Sequence, residues 1–238
     1  FESVNLDLMF ALPGQTIDES LADLRTAVAL GANQVTCYPL FTFPYSSVGR
    51  RLELDQVRFP NLRTRRQMYR AIHDEALAQN LERVSVWGFK QSGVTAFSSV
   101  TRDNYIGIGA GAGTHLPKLF YFNTFSVDAY TRSCARGEQP VALQMRMTDA
   151  MERFYWLYWR LYETSVPRHG FAQRFGDDDR ARRLLQLALQ LRLLFDAGEN
   201  YVLTERGSFW IHFLQNYYIL NYIDAVWTRS MRDAWPAR

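Results

Sequence analysis

The stretch Val4-Asn5-Leu6-Asp7-Leu8-Met9-Phe10-Ala11-Leu12-Pro13-Gly14-Gln15-Thr16 decides the fold, because it reads as a strand, a turn and the start of a helix. Thr16 and Glu19 have the spacing of a capping box, which predicts a helix running to about Gly31. A second strand is predicted at residues 35–38. Two strands joined by a crossover helix of about four turns pair in parallel, so the sequence predicts an α/β fold.

The carboxyl ends of parallel strands form the rim at which ligands bind in such sheets. This rule places Asp7, Met9, Leu12 and the segment Pro39–Phe43 at one rim. Asp7 is a charged residue in an apolar strand and therefore needs a partner. That partner is either a ligand hydroxyl or a structural group of the protein itself.

A second stretch, Tyr105-Ile106-Gly107-Ile108-Gly109-Ala110-Gly111-Ala112-Gly113-Thr114, alternates glycine with small apolar residues and leaves one face of the backbone nearly bare. Tyr105, Ile106 and Ile108 suit a buried strand. One interpretation is a strand end that lies against a flat or extended ligand, and the other is a tight bend against neighbouring backbone. The stretch is not a dinucleotide-binding fingerprint, because it opens no helix and Pro117 follows soon after.

The rest of the first part alternates between helical and extended patterns. Residues 41–60 are predicted to form an irregular, proline-punctuated loop. Residues 62–80 have the pattern of a basic amphipathic helix, and residues 83–89 that of a single strand. The glycine-rich stretch is predicted as the next strand, with residues 118–122 pairing antiparallel to it.

A shift in composition near residue 140 predicts two domains, residues 1–140 and 141–238. The second domain begins with a helix at 148–164 whose aromatic residues fall all round it, which predicts that it is buried or lines a cavity. Aspartates at 177–179 cap a leucine-rich helix through Leu194, and a short strand and turn follow at 199–207 before a long aromatic helix. This order indicates a winged-helix-like module. Because its final helix is aromatic and not basic, we interpret it as a lid or partner surface and not a DNA reader.

Composition narrows the class of protein. A chain of 238 residues with 47% hydrophobic residues can bury a substantial core, and 15% aromatic residues indicate either a thick core or a pocket for a flat ligand. Its net charge is only +3 and its basic residues are dispersed among acids, so nucleic acid is not an expected partner. No apolar span is long enough for a membrane helix, and a cytoplasmic location is expected.

The sequence predicts neither a metal site nor an identifiable catalytic residue in this chain. Cys37 and Cys134 lie in unrelated settings without metal-binding spacing, which favours a reducing compartment. The four histidines are scattered, and no metalloprotease, nucleophile-elbow or P-loop motif is present. His115, just after the glycine-rich stretch, is the one histidine of interest, although a structural or surface role is favoured.

The chain begins Phe1-Glu2-Ser3, without an initiator methionine, and a buried-type strand follows at once. We therefore expect it to be the later part of a longer protein.

Three motifs resemble those of one family. Residues 7–16 are similar to the "DLxxGLPxQT" strand and turn of the oxygen-independent coproporphyrinogen III oxidase (HemN-like) family of radical S-adenosylmethionine (SAM) proteins. Residues 105–112 are similar to its "YLGxGAGA" element, and Leu203-Thr204-Glu205-Arg206-Gly207 to its "LTxxG" turn. The three motifs stand in the family's order and cover most of the chain.

The resemblance implies the last part of a partial (β/α) barrel followed by a mainly helical, winged-helix-like C-terminal domain. Family members hold a 4Fe-4S cluster through a CxxxCxxC loop in the first half of the barrel. That loop is absent from this sequence, so the resemblance implies SAM binding but no cluster bound by this chain alone. The cofactor-binding positions that it implies are Asp7, Met9 and Phe41 for the first SAM, and Gly109, Gly111, Ala112 and Gly113 for a second SAM.

The branches of the family differ in chemistry. The heme-chaperone branch carries "HNxxYW" before its glycine run, whereas residues 97–104 contain no histidine, and the decarboxylase "CNF" is also missing. Gly107–Gly113 and Gly207-Ser208-Phe209-Trp210 are more similar to the branches that use two SAM molecules to transfer a methyl or methylene carbon. The resemblance thus implies a flat aromatic or tetrapyrrole substrate and an electron donor such as flavodoxin. The alternatives are oxidative decarboxylation of coproporphyrinogen in heme synthesis and a non-catalytic heme-binding or carrier relative.

Overall fold

The computed structural model describes residues 1–41, 58–96, 103–211 and 213–214. By its contacts the chain forms two compact units. The first unit comprises Phe1–Ser99 with Arg160–Asn216, and the second unit comprises Val100–Trp159 with Tyr217–Arg238. The domain boundary predicted near residue 140 from the shift in composition stays a prediction.

The first unit is built on a four-stranded sheet with two helices. Its elements are β1 (Asn5–Phe10), α1 (Ile17–Ala29), β2 (Gln34–Pro39), α2 (Leu62–Ala78), β3 (Leu81–Arg83) and β4 (Gly88–Gln91). The strand order is β1-β2-β4-β3. β1 and β2 are parallel, as predicted, whereas β4 runs antiparallel to both of its neighbours.

The predicted capping box begins α1. The Thr16 hydroxyl accepts a hydrogen bond from the Glu19 N–H at 3.2 Å, and the Glu19 carboxylate accepts one from the Thr16 N–H at 2.7 Å. The buried face of α1 carries Leu24 and Ala27 into one core together with Val35 of β2 and Phe89 of β4. Burial of this apolar face stabilises the sheet and the helix together.

The first unit also contains the C-terminal module. Its elements are β8 (Ser165–Pro167), α5 (Arg168–Phe175), α6 (Asp179–Gln190), β9 (Leu194–Asp196), β10 (Asn200–Leu203) and a helix that begins at residue 205. The strands form an antiparallel sheet in the order β8-β10-β9. Asp178 caps α6 by accepting from the N–H groups of Arg180 and Ala181, both at 3.0 Å. Helix α6, the β9–β10 hairpin and the start of a further helix follow the predicted order of helix, strand and helix.

The second unit contains a three-stranded antiparallel sheet in the order β5-β6-β7. Its elements are β5 (Gly113–Leu116), β6 (Leu119–Asn123), α3 (Val127–Ala135), β7 (Val141–Arg146) and α4 (Asp149–Tyr162), whose last turn belongs to the first unit. The antiparallel pairing predicted for residues 118–122 is confirmed. No helix in the described ranges is long and apolar enough to cross a membrane.

The single strand predicted at residues 83–89 is wrong, because the chain reverses there between β3 and β4. The Ser85 hydroxyl accepts a hydrogen bond from the Gly88 N–H at 2.8 Å, and the Val84 N–H donates to the Gly88 carbonyl at 2.9 Å. A serine side chain that bonds local backbone competes with strand pairing in this way. Val86 and Trp87 are buried in the core from the turn itself, which explains their apolar character.

Two predictions about the helices need correction. The leucine-rich helix ends at Gln190 and not at Leu194, because Arg192 has a positive φ of 55° and Leu194 opens β9. α4 contains no buried residue, and Phe154 is 56% exposed. Its rings cover one another instead, with the centroids of Tyr158 and Trp159 at 4.7 Å. Residues 42–57, 97–102 and 215–238, which include most of the predicted loop and of the final helix, lie outside the described residues.

A set of hydrogen bonds from Arg83 joins β3 to the segment after β10. The guanidinium donates to the Leu203 carbonyl and, at 2.8 Å, to the hydroxyl of Ser208, which is fully buried. Nearby, Arg66 forms a bidentate ion pair with Glu205. The "LTxxG"-like turn is thus held to the barrel sheet within the first unit.

We expect Arg83→Met to lower the free energy of unfolding by about 1–3 kcal/mol, because it leaves buried oxygen acceptors without a donor. Urea denaturation followed by circular dichroism measures the change. Arg70→Met on the exposed face of α2 is the control, since the ion pair between Arg70 and Asp74 is exposed and should contribute little. Equal stability of the two variants would contradict the role given to Arg83.

Candidate functional site

One face of the parallel pair β1–β2 carries polar side chains that are open to solvent. Along β1, Asn5, Asp7 and Met9 alternate with Leu6 and Leu8, which pack against the core. Asp7 is exposed and Met9 is 47% exposed. Successive side chains of a strand point to opposite faces, so Asn5, Asp7 and Met9 form one row on the face of the sheet opposite the core side chains.

The Asp7 carboxylate is held within this row. Its Oδ1 accepts a hydrogen bond from the Asn5 amide at 2.8 Å, and the Asn5 Oδ1 accepts one from the Thr36 hydroxyl at 3.0 Å. Thr36 lies opposite Asp7 in the register of β1 and β2. Because these bonds occupy only part of the carboxylate's acceptor capacity, Asp7 can accept hydrogen bonds from ligand hydroxyls.

An aromatic pair lies at the carboxyl end of β2. The rings of Tyr38 and Phe41 are stacked, with centroids 6.0 Å apart and planes 13° apart. Tyr38 lies opposite Met9 in the register, and its pKa is raised by partial burial and by the nearby Asp7 charge. The structure therefore brings the three predicted residues Asp7, Met9 and Phe41 to the same edge of the sheet.

The backbone closes this edge. The Leu40 N–H donates to the Phe10 carbonyl at 2.8 Å, and Ala11 turns the chain with a positive φ of 59°. The Gln15 side chain accepts from the Leu12 N–H at 3.2 Å. These bonds place the ends of β1 and β2 side by side at the predicted rim.

Sequence reasoning missed Asn5, Thr36 and Tyr38 as members of this site. The signal was available in the alternation of side chains, because Asn5 stands two residues before Asp7, and Thr36 two before Tyr38. What the sequence does not specify is the register that sets each pair side by side.

The predicted second position, at the glycine-rich stretch, lies in the second unit. The strand predicted for this stretch is wrong, since only Tyr105 pairs, with His115, and β5 begins at Gly113. Gly109 and Gly111 have φ values of +112° and +72°, which a strand does not adopt. A Cβ on Gly107 would lie far inside van der Waals contact of the Gly113 carbonyl oxygen. The backbone interpretation of these glycines is therefore supported.

Asn123 holds the glycine loop, defined here as residues 106–112. Its side-chain amide donates to the carbonyls of Gly107 and Gly109 at 3.2 and 3.0 Å, and its N–H donates to the Ala112 carbonyl at 3.0 Å. The Gly109 N–H donates to the Tyr130 hydroxyl at 3.1 Å. Several backbone groups of the loop are therefore already hydrogen-bonded within the second unit. Asn123 is a residue that sequence reasoning missed.

The isoleucines of the glycine loop are not buried, contrary to the prediction. Ile106 is 69% and Ile108 is 87% exposed. These exposed fractions show that the side chains of both isoleucines project from the loop into solvent. Gly113 is different again, because a Cβ there would meet the Phe122 ring at 3.2 Å without any positive φ.

His115 is a buried structural residue of the second unit. It is 3% exposed and stacks on Tyr155 with ring centroids 4.1 Å apart. Its Nδ1 lies 3.3 Å from the Asp103 carbonyl oxygen and its Nε2 lies 3.5 Å from a Glu152 carboxylate oxygen. Burial also raises the pKa of the Tyr155 hydroxyl. The structural role favoured from the sequence is the one that this geometry supports.

The described residues do not fit an iron–sulfur cluster. Cys37 is buried in the core of the first unit, where burial raises the pKa of its thiol to about 12, and Cys134 is exposed on α3 in the second unit. No group of three or more potential metal ligands occurs among the residues that the structure describes. The carboxyl edge of β1 and β2 does fit a nucleoside, because Asp7 offers a carboxylate for hydroxyls, and Tyr38 and Phe41 offer ring faces for a base.

Comparison with known proteins places these features in a family context. The chain is 24% identical over 180 residues to heme chaperone HemW of Bacillus subtilis, covering 74% of this chain and 48% of that protein. It is 28% identical over 136 residues to HemW of Lactococcus lactis, covering 56% of this chain and 36% of that protein. It is also 24% identical over 213 residues to anaerobilin synthase of Escherichia coli O157:H7, covering 87% and 47%.

The fold matches a solved structure, coproporphyrinogen III oxidase (HemN) from Escherichia coli, described as a radical SAM enzyme. The TM-score is 0.64 at 14% identity, covering 88% of this chain and 53% of that one. This match confirms the predicted fold class of a partial α/β barrel with a mainly helical C-terminal domain. No family model matches the chain. The chain spans about half the length, or less, of these relatives.

Proposed function

We propose that this chain, whose homologues are HemW- and HemN-like radical SAM proteins, forms the C-terminal portion of a radical SAM enzyme. Its reaction would transfer a methyl or methylene carbon to a flat aromatic or tetrapyrrole substrate. The observation that carries the proposal is the row of Asp7 and Met9 beside the stacked pair of Tyr38 and Phe41, at the carboxyl edge of β1 and β2. Ligands of parallel α/β sheets bind at that edge.

The chain's own residues in this row bind and orient a nucleoside. The Asp7 carboxylate, fixed by Asn5, accepts hydrogen bonds from ribose hydroxyls. Tyr38 and Phe41 offer ring faces to the adenine, and Met9 contributes an exposed thioether beside them. In the complete enzyme, a SAM molecule held beside this row at a reduced cluster would supply radical chemistry, and a second SAM would supply the transferred carbon.

The glycine loop and Gly113 are the proposed position of the second SAM. In this proposal Gly109, Gly111 and Ala112 shape the backbone, and Gly113 lets the strand pack closely against the rings of Phe122 and Phe120 beside the nucleoside. Support comes from the network that fixes the loop through Asn123 and Tyr130, since a fixed backbone is a prerequisite for orienting a ligand.

A second candidate function rests on the relatives that are named heme chaperones. In this case the chain is part of a non-catalytic heme-binding or carrier protein, and the tetrapyrrole is its cargo and not its substrate. The structural similarity to HemN supports a third candidate, coproporphyrinogen decarboxylation. An electron donor such as flavodoxin belongs to the two enzymatic candidates alone. Transfer of label from methyl-labelled SAM to a product separates carbon transfer from the other two.

We expect Asp7→Ala in the complete enzyme to weaken SAM binding by about 1–3 kcal/mol, the range for a lost hydrogen bond to a charged group. This corresponds to a rise in the dissociation constant of about 5- to 150-fold. Isothermal titration calorimetry of the reduced, cluster-loaded protein measures it.

Asp7→Asn keeps the shape of the side chain and should fall between the wild type and Asp7→Ala. Asp74→Ala removes an exposed carboxylate of α2, outside the row, and is the matched control. An Asp7→Ala protein that is folded and binds SAM as tightly as the wild type would show that Asp7 is not a cofactor residue.

A further inference from the structure

β7 is an edge strand of the three-stranded sheet in the second unit, since it pairs with β6 alone. Its last four residues are exposed, and the apolar side chains of Leu143 and Met145 are 40% and 44% exposed. Leu143 lies opposite Phe122, and Met145 opposite Phe120, so both belong to the apolar face of the sheet. The strand thus offers both an open edge and an open apolar face.

The register shows which backbone groups of β7 face outward. The Met147 N–H donates to the Lys118 carbonyl at 2.9 Å, so residue 147 is hydrogen-bonded to the β6 side. In an antiparallel pair the hydrogen-bonded positions alternate. Met145 and Leu143 therefore direct their N–H and C=O groups to β6, whereas Gln144 and Arg146 direct theirs away from the sheet. Among the described residues, the outward N–H and C=O groups of Gln144 and Arg146 have no backbone hydrogen-bond partner.

Proteins usually protect exposed strand edges with lysines, prolines, bulges or a covering segment. In β7 the register shift lies at its start, opposite Phe122 and Asn123, and leaves residues 143–146 in regular pairing. Arg146 is the only charged residue of the strand, and it stands at the end. The regular half of the edge is therefore suited to accept another strand.

We propose that β7 pairs antiparallel with β7 of a second copy of this chain, about a two-fold axis at Gln144. This register places the outward N–H and C=O of Gln144 opposite those of its counterpart, so the two residues exchange two backbone hydrogen bonds. Leu143 then lies opposite the partner's Met145 on the apolar face. The two sheets become one continuous six-stranded sheet.

The pattern of β7 favours a second copy over an unrelated strand, because the strand is complementary to itself in this register. Apolar side chains meet apolar ones at the pair of Leu143 and Met145, and such cross-strand pairs stabilise a sheet. Gln144 meets Gln144, whose amides can donate and accept in turn. Arg146 falls opposite the partner's Ala142, so the positive charges of the two strands do not face each other.

Gln144→Pro tests the proposal. Proline removes the outward N–H, yet it is tolerated at edge positions whose N–H faces solvent, so the monomer should fold normally. Gln144→Ala keeps the backbone N–H and is the control. In sedimentation velocity we expect the wild type and Gln144→Ala to dimerise, and Gln144→Pro to remain a monomer with an unchanged circular dichroism spectrum.

A crosslinking experiment tests the register. In a Cys134→Ser background, Gln144→Cys places two thiols at directly opposed positions with Cα atoms about 5.5 Å apart, which a disulfide can span. In Arg146→Cys the Cα atoms of the two cysteines are offset by four residues along the paired strands, about 13 Å, so this variant should not crosslink. A wild type that stays monomeric at the highest concentration at which it is soluble would overturn the proposal. So would a Gln144→Pro variant that dimerises normally or equal crosslinking of the two cysteine variants.

Discussion

Gly207→Ala is expected to lower the free energy of unfolding by about 3 kcal/mol or more, the upper range for overpacking. A Cβ at Gly207 would lie far inside van der Waals contact of the Leu193 carbonyl oxygen, and both groups belong to the backbone. Neither can move alone, because the Leu193 carbonyl accepts from the Thr204 N–H at 3.0 Å and the Gly207 N–H donates to the Thr204 hydroxyl at 2.9 Å. The turn must open to admit a single methyl group.

Chemical denaturation of the purified protein measures this effect. Gly198→Ala in the β9–β10 hairpin is the matched control, because a Cβ there meets nothing within 4 Å and only the positive φ of 85° is strained. That strain costs about 1–2 kcal/mol. If Gly207→Ala proves no less stable than Gly198→Ala, the close approach of residues 193 and 207 does not exist in solution.

Gly113→Ala is expected to reduce carbon transfer by about 100-fold, a typical consequence of displacing a reactant by about 1 Å. The backbone at Gly113 has no positive φ and accepts alanine, although the rings of Phe122 and Phe120 must yield slightly. The stability of the protein should therefore change by no more than about 1 kcal/mol. SAM cleavage at the first position should continue at the wild-type rate.

Label transfer from methyl-labelled SAM, measured beside 5′-deoxyadenosine formation in the complete enzyme, separates the two steps. Gly111→Ala is the comparison variant, since its positive φ and its contact with Phe125 predict a loss of stability. Normal carbon transfer by Gly113→Ala would mean that Gly113 is not next to a reacting cofactor. A large drop in its melting temperature would assign Gly113 to the fold alone.

The sequence was sufficient for those elements in which a local pattern and the tertiary structure agree. The capping box at Thr16 and Glu19 and the parallel pairing of β1 with β2 are both present. The aspartate cap of α6 was also predicted, because a side chain that bonds the first N–H groups of a helix needs no distant partner.

The two failed strand predictions have different physical origins, because alternating apolar residues occur both in a turn packed into a core and in an exposed loop. Val86 and Trp87 are apolar because the β3–β4 turn is buried, and not because they belong to a strand. In the glycine loop, Ile106 and Ile108 alternate as in a strand, yet the positive φ values of Gly109 and Gly111 prevent one. Periodicity reports the spacing of apolar residues, but it reports neither their burial nor the sign of φ.

For the candidate site, the sequence predicted positions but not partners. Asp7, Met9 and Phe41 followed from a resemblance, and the structure adds that Asn5 fixes Asp7 and that Tyr38 stacks on Phe41. Asn123 could not be predicted, because its bonds to the glycine loop span up to 16 residues and depend on the β5–β6 hairpin. Contacts of this kind are set by tertiary structure and leave no local pattern.

The hydrogen bonds of Arg83 also determine when the molecule can fold during synthesis. Its acceptors, Leu203 and Ser208, follow it by 120 and 125 residues in the chain. While a ribosome is still making the second unit, the guanidinium of β3 has neither of them. These hydrogen bonds therefore form only after the last module has emerged, and we expect a nascent chain stalled before residue 203 to be more sensitive to protease than the released protein.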